Sequence, residues 1–439
     1  MSYPLVRERI ADGVYFSSIT DRKFKHNRMS VNLVVKLDRE KVTDRAVVPF
    51  ILRQGSKNWP DFTALNKKLC ELYGASLDAG IDKLGDYQII ALGVIGVDSR
   101  FALEQEDMVR ECAALLADIL LEPDITNGKF NEKNTELEKQ YLLETIDSEI
   151  NDKRSYAMMR CKDIMCGDES CSIKKYGYRE DALRITPQSA AQAYRELMRT
   201  AQIEIMFEGC GDPQPACEIF REQFSKIERQ PETLVRCVPK QQHGPIRETV
   251  ERMDVKQGKL VMGFRVEGMN SYEQMNAERL AVALFGGTGN SLLFKNVREK
   301  LSLCYYCAAR YDRHTGIMMV DSGVEAENAE KARDEILHQL RLMQQGEFED
   351  KDIEETKLFF KTALKATTDS LGAMDSWYLA QILGESSVSP DEEIELSNRV
   401  SREDMIAAAN AIKLDTVYML MPNEEHLTCR RHVSSRTIS

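Results

Sequence analysis

The order of helices and strands near the end of each half of the chain is repeated, which indicates two copies of one fold. In the first half, an alanine-rich helix begins at Thr186 and Pro187 and leads to a strand at 203–207. In the second half, an alanine-rich helix begins after Ser401 and leads to a strand at 417–421. Threonine and serine are good N-caps, and proline is favoured in the first helical turn. The pattern predicts two similar structural units.

Two further pairs of segments match between the halves. The segments 130–133 and 348–351 each lead into a helix, and amphipathic helices are predicted around 108–120 and 329–343. Strands and helices mix without strict alternation, which favours an α+β fold. We therefore expect two homologous domains, each a mostly antiparallel sheet packed with helices.

A polar segment containing Pro and Gly separates the two halves. Its composition predicts a linker at 229–244, with domain one at 1–228 and domain two at 245–439. A chain of 439 residues is long enough for two or three domains. The tail 430–439 has no apolar face and is predicted to be disordered.

Charge and composition exclude some classes of partner. A net charge of −12 argues against nucleic acid or anionic lipid as the main partner. The longest apolar run, 89–97, is too short to cross a bilayer and predicts a buried strand. The N-terminus lacks an apolar signal core, and the eleven scattered cysteines favour reduced thiols. These features predict a cytoplasmic protein without nucleic-acid or membrane partners.

One stretch in the second half carries a candidate binding motif. Gly286 and Gly287 free the backbone for a tight turn, a short helix runs to Arg298, and a strand begins at Tyr305. A cation and a phenol placed this way could face one extended ligand. The pattern resembles the Arg/Tyr substrate-binding motif in the second half of the M16 (pitrilysin/insulinase/mitochondrial-processing) zinc peptidases. The resemblance covers nearly the whole chain and implies the M16/LuxS-metallohydrolase-like duplication.

The same resemblance implies that the zinc site is lost. In active members a His-x-x-Glu-His helix precedes a Leu-x-x-Gly-Thr/Ser turn, which here matches 52–56. Counting back places Ala46 and Phe50 at the two His positions and Pro49 at the general base. The third ligand of the family aligns with Thr145. Alanine and phenylalanine have no donor for zinc, so this chain is expected to bind no metal or other cofactor.

A relocated metal site is the least favoured alternative. Three groups of Cys and His recur at short spacing: Cys161, Cys166 and Cys171; His426, Cys429 and His432; and Cys304 with Cys307. Strong zinc motifs pair two such knuckles, and these groups do not. The simpler interpretations are buried thiols, a frayed tail, and a strand with its two sulfurs on opposite faces, respectively.

The function implied by the resemblance is that of a non-catalytic, substrate-binding subunit of a heterodimeric M16-type zinc peptidase. A zinc-bearing sister chain would supply zinc and base, while Arg298, Tyr305 and the glycines Gly286 and Gly287 hold an extended oligopeptide. The sequences of the segments 46–50 and 72–76 resemble those of the zinc-less members of bacterial M16 pairs. The alternative is a pseudo-enzyme that binds peptides or scaffolds an assembly, possibly as a homodimer, without hydrolysis.

Overall fold

The computed structural model describes residues 5–235, 244–267 and 271–423. The strands, in chain order, are β1 (Val6–Ala11), β2 (Val14–Thr20), β3 (His26–Lys36), β4 (Ser76–Leu84), β5 (Tyr87–Val97), β6 (Ile125–Thr126), β7 (Lys129–Phe130), β8 (Gln202–Gly209), β9 (Arg247–Met253), β10 (Gly258–Val266), β11 (Cys304–Asp312), β12 (Ile317–Val324) and β13 (Ile412–Pro422).

The α-helices, in the same order, are α1 (Val42–Leu52), α2 (Phe62–Glu71), α3 (Met108–Leu121), α4 (Glu132–Ser148), α5 (Lys153–Cys166), α6 (Arg179–Ala182), α7 (Pro187–Thr200), α8 (Gln214–Phe224), α9 (Tyr272–Val282), α10 (Ala329–Gln344), α11 (Asp350–Thr367), α12 (Leu371–Leu383), α13 (Pro390–Arg399) and α14 (Arg402–Asn410). Two π-helical segments, Ala283–Gly287 and Phe294–Lys300, follow α9. No helix in these described ranges is both long and apolar enough to cross a membrane.

The two larger sheets have matching strand orders. One runs β1-β2-β8-β3-β5-β4, and the other, started from its opposite edge, runs β9-β13-β10-β12-β11. In each sheet the last strand of the half (β8 or β13) pairs in parallel with a strand near its start (β2 or β9), and the pairs β3–β5 and β10–β12 are antiparallel. The predicted α+β fold and its duplication are thereby confirmed; β1 is an added edge strand in the first sheet.

Local capping determines where the matching helices begin. Thr186 caps α7 in a capping box with Ser189, and Ser401 caps α14 in one with Asp404. These side chains satisfy backbone N–H groups that the first helical turn leaves free. Both predicted helix starts are confirmed, and the apolar faces of α3 and α10 are buried as expected.

The chain forms two compact units that are not continuous in sequence. Unit one comprises Met1–Ser148, Ile173–Arg236 and Leu364–Glu392, and unit two comprises Glu149–Ser172, Cys237–Ala363 and Glu393–Ser439, as far as these ranges are described. Helix α5 of the first half therefore belongs to unit two, where it contacts β10 and β13. Its counterpart α12 belongs to unit one, where it contacts β3 and β8. The contiguous domains predicted at 1–228 and 245–439 stay a prediction.

A buried polar cluster fastens α12 to the sheet of unit one. Arg28 of β3 donates to Asp375 of α12 at 2.8 Å and lies opposite Glu208 of β8. Glu208 is completely buried, and neither of its carboxyl oxygens has a hydrogen-bond partner in the described part of the chain. Burial, and secondly the nearby Asp375, raise the pKa of Glu208 well above 4.5, while Arg28 opposes this shift. The cluster therefore favours a protonated Glu208.

This raised pKa predicts a specific pH dependence of stability. The stabilisation linked to the Glu208 proton is complete below its unfolded pKa and is lost as pH rises through the higher folded pKa. Glutamine does not titrate, so in Glu208→Gln this loss of stability with rising pH should not occur. We expect the free energy of unfolding of the variant to exceed that of the wild type by a margin that grows between about pH 5 and pH 8. Urea unfolding across this range checks the expectation, with the exposed Glu136→Gln as control; a margin independent of pH would contradict it.

Candidate functional site

Helix α1 carries the positions aligned with the first zinc ligand and the general base. Ala46 is buried in the apolar core of unit one, and Pro49 is also buried. Pro49 lacks the N–H that would donate to the carbonyl of Arg45, yet the helix continues to Leu52. Neither Ala46 nor Pro49 has a side-chain atom able to bind a metal or accept a proton.

The positions aligned with the second and third zinc ligands meet at one cavity within unit one. Phe50 of α1 and Thr145 of α4 both line this cavity, whose volume is about 240 Å³. The rings of Phe50 and Tyr141 meet edge to face, with centroids 6.1 Å apart. Strand β4 provides another wall through residues 79–81. The other lining residues are Arg53, Leu142 and Tyr176. We call this space the β4 cavity.

The side chains of the β4 cavity do not fit zinc. Zinc in proteins is held by thiolate, imidazole or carboxylate groups, and none of these lines the cavity. The guanidinium group of Arg53 would repel a divalent cation. Within residues 5–235, 244–267 and 271–423, no cluster of three or more His, Cys, Asp or Glu is placed to hold a metal ion. The cavity combines aromatic walls with one cation, which is chemistry suited to an anion.

The Cys and His groups that were alternative candidates for a metal site differ in their structures. Cys166 and Cys171 form a disulfide, so the expectation of reduced thiols is wrong for this pair. Gly167, with φ of 55°, turns the chain after α5 and brings the two Cα atoms to 6.0 Å, within disulfide range. Cys161 is buried, and its Sγ lies 3.8 Å from the carbonyl oxygen of Val261. His426, Cys429, His432 and the tail 430–439 lie outside the described residues.

Arg298 lies in the π-helical segment Phe294–Lys300 of unit two. Its guanidinium group packs over the ring of Phe294, 4.7 Å from the centroid. Its Nε is 3.6 Å from a carboxylate oxygen of Glu299, and 41% of its side chain is exposed. The ring contact orients the cation while solvent still reaches it. This placement is compatible with the predicted role in binding a ligand.

Tyr305 lies at the start of β11, which is an edge strand of the five-stranded sheet. The residue is 58% exposed, and its hydroxyl donates to Oε1 of Glu325 at 2.7 Å. The π-helical segment that carries Arg298 contacts the same strand. The structure therefore brings both motif residues to β11, where an incoming strand could pair; their role in binding stays a prediction.

The expectation of a tight turn at Gly286 and Gly287 is wrong. Both belong to the π-helical segment Ala283–Gly287, and neither has a positive φ. A Cβ on Gly286 would lie 2.7 Å from the Cβ of Ala309, so glycine is required for close packing against β11. Gly286 is buried and Gly287 is exposed. Only Gly287 could present its backbone to a ligand.

Cys304 and Cys307 share one face of β11, contrary to the prediction of opposite faces. Cys304 pairs with Val324 and Tyr306 pairs with Gly323, so Tyr305 is an extra residue in a β-bulge. Both thiols consequently pack against the core of unit two. The Cys307 thiol donates to the Cys304 sulfur and lowers the pKa of Cys304; burial opposes this shift, and Ser322 and Arg298 assist it.

Arg53 is the residue of the cavity that sequence reasoning missed. In the sequence, the segment 52–56 aligns with the turn that follows the zinc motif, and this alignment gives the side chain of Arg53 no role. The sequence signal for this residue is a cation that directly follows the degenerate zinc motif, at the end of helix α1. Its neighbour Gln54 donates to the carboxyl of Glu138 on α4, which ties the end of α1 to that helix.

Sequence comparisons identify similar proteins. The sequence profile of the Peptidase M16 inactive domain matches residues 184–358. A Bacillus subtilis (strain 168) protein named probable inactive metalloprotease YmfF is 28% identical over 424 residues, which cover 97% of this chain and 99% of that protein.

Solved structures show the same fold. A conserved protein from Enterococcus faecalis V583 superposes with a TM-score of 0.88 at 24% identity, covering 96% of this chain and 99% of that chain. A peptidase M16 inactive domain from Pseudomonas fluorescens gives a TM-score of 0.75 at 14% identity, covering 95% and 98%. Over nearly its whole length the chain is thus similar to a protein named an inactive metalloprotease, and its residues 184–358 match the inactive domain of the M16 peptidases.

Proposed function

We propose that this chain is the non-catalytic, substrate-binding subunit of a two-chain M16-type peptidase. A zinc-bearing sister chain would supply the metal and the general base. One contrast carries the proposal. The positions aligned with the zinc ligands hold Phe50 and Thr145 at a cavity without metal donors, whereas Arg298 and Tyr305 remain accessible at β11.

The chemistry of the accessible pair suits an extended oligopeptide. A peptide can add to β11 as a further strand, since β11 is a sheet edge. The guanidinium of Arg298 and the hydroxyl of Tyr305 could then donate hydrogen bonds to a substrate carbonyl. The same donors would stabilise the oxyanion that forms when zinc-activated water attacks this carbonyl.

A peptide-binding or scaffold protein without hydrolysis, possibly homodimeric, is the second candidate. The β4 cavity favours it, because Arg53 and aromatic rings line the positions where zinc would otherwise lie. That arrangement is suited to retaining a ligand and offers no group that would activate water.

The purified chain is expected to hold less than stoichiometric zinc and to cleave no peptide alone, because Ala46, Pro49, Phe50 and Thr145 lack the required groups. Elemental analysis after dialysis and a quenched-fluorescence peptide assay measure both. Addition of a zinc-bearing M16 chain from the same organism should produce cleavage that neither chain gives alone. One tightly held zinc per chain, or a sister that is fully active alone, would contradict the proposal.

A further inference from the structure

The β4 cavity contains one cationic side chain with an unsatisfied donor. Arg53 directly follows α1 and lines the cavity together with Phe50, Tyr141 and Thr145. Its Nε is buried and has no hydrogen-bond partner among the residues that the structure describes. A buried N–H group without an acceptor is unfavourable. A ligand oxygen at this position would remove that penalty.

Glu138 interacts with Arg53 electrostatically but leaves it able to receive an anion. The carboxyl of Glu138 accepts a hydrogen bond from the Gln54 amide. Burial raises the pKa of Glu138, while that hydrogen bond and the charge of Arg53 oppose the shift. Glu138 therefore holds its proton more readily than an exposed glutamate does.

The size and walls of the cavity restrict the ligand. A volume of about 240 Å³ is smaller than most cofactor pockets and is suited to a single residue. The rings of Phe50 and Tyr141 offer apolar contact to its carbon atoms. The guanidinium of Arg53 can bind a carboxylate through two parallel hydrogen bonds. The fitting group is a carboxylate on a short carbon stem.

The strand beside the cavity indicates what carries this group. Residues 79–81 of β4 line the cavity, and β4 is the edge of its sheet opposite β1. Within the described chain β4 pairs only with β5, so its other side can accept an extended peptide. In an added strand, alternate side chains point to the same face of the sheet. A peptide on β4 can therefore place one residue at the cavity.

We propose that the β4 cavity binds a carboxylate of an extended peptide, with Arg53 as its ion-pair partner, in place of the zinc bound at this position by active relatives. The carboxylate comes either from the C-terminus of the peptide or from an Asp or Glu side chain. This inference rests on the proposed peptide-binding role and specifies the class of peptide that is selected.

Three randomised pools of fluorescein-labelled octapeptides distinguish the two sources. The first consists of free acids without Asp or Glu, the second of C-terminal amides that include them, and the third of amides without them. Anisotropy titrations use the full-length chain. We expect binding of the first or second pool to exceed that of the third, and to weaken about 10–100-fold in Arg53→Gln. Thr145→Leu, which fills the cavity, should weaken it similarly.

Matched controls separate a binding defect from a folding defect. Arg184→Gln removes an arginine of unit one whose side chain is 76% exposed, and it should bind like the wild type. Thermal melts confirm that each variant folds. If Arg53→Gln binds the pools as tightly as the wild type, the Arg53 site is refuted, whereas the two-chain peptidase proposal stands. If the wild type binds all three pools equally or none, the inference is also wrong, and cleavage by the mixed chains still decides the proposed function separately.

Discussion

Arg298→Ala is expected to lower peptide turnover by the assembled two-chain enzyme about 10²–10³-fold, with substrate binding less affected. The segment that carries Arg298 contacts β11, and the Arg298 side chain is exposed enough to reach a bound peptide. A donor that meets the developing oxyanion acts mainly on kcat, which is the signature to be measured. Tyr305→Phe removes only a hydroxyl and should also lower kcat.

The control for this experiment lies on the same strand. Arg310 of β11 is also exposed and has no assigned role, so Arg310→Ala should leave kcat unchanged. Co-purification with the zinc-bearing sister shows whether each variant still assembles. Wild-type turnover by both Arg298→Ala and Tyr305→Phe in assembled pairs would refute the shared-site mechanism. The peptide-binding or scaffold function would then be preferred.

Asp375→Ala is expected to lower the free energy of unfolding by about 3–5 kcal/mol, because the largely buried charge of Arg28 then keeps only a 3.7 Å ion pair with the exposed Asp78. Asp375 is 5% exposed and accepts from Nε of Arg28 at 2.8 Å. The pair joins α12, from the second half of the sequence, to the sheet of unit one. Loss of the pair should therefore weaken the docking of α12 as well as global stability. Chemical denaturation and hydrogen exchange at α12 measure the two effects.

Glu208 makes this deficit depend on pH. With Asp375 absent, the repulsion that helps to raise the pKa of Glu208 disappears, and ionised Glu208 can partly neutralise Arg28. The deficit should therefore be larger near pH 5 than near pH 8. Asp369→Ala is the matched control, since its 3.1 Å contact with Lys23 is exposed and should be worth about 0–1 kcal/mol. Equal losses for Asp375→Ala and Asp369→Ala would contradict a buried, stabilising pair.

Local sequence signals were sufficient for the features that depend on neighbouring residues. Thr186 and Ser401 cap helices because their side chains reach backbone N–H groups three residues ahead. The spacing of apolar residues correctly predicted which faces of α3 and α10 are buried. The repeated order of these elements was enough to predict a duplicated α+β fold, since similar sequence patterns form similar sheets.

Tertiary structure decided whatever depends on contacts between distant segments. The exchange of α5 and α12 between the units follows from non-local packing, which the composition of a linker does not reveal. The bulge at Tyr305 reverses the alternation of side chains and brings Cys304 and Cys307 to one face. The sequence by itself shows that Ala46, Pro49 and Phe50 carry no side-chain group that could bind zinc or act as a base. Only the folded chain places Arg53 with Phe50 and Thr145 around one cavity, because α1, α4 and β4 meet there through packing across about 90 residues of sequence.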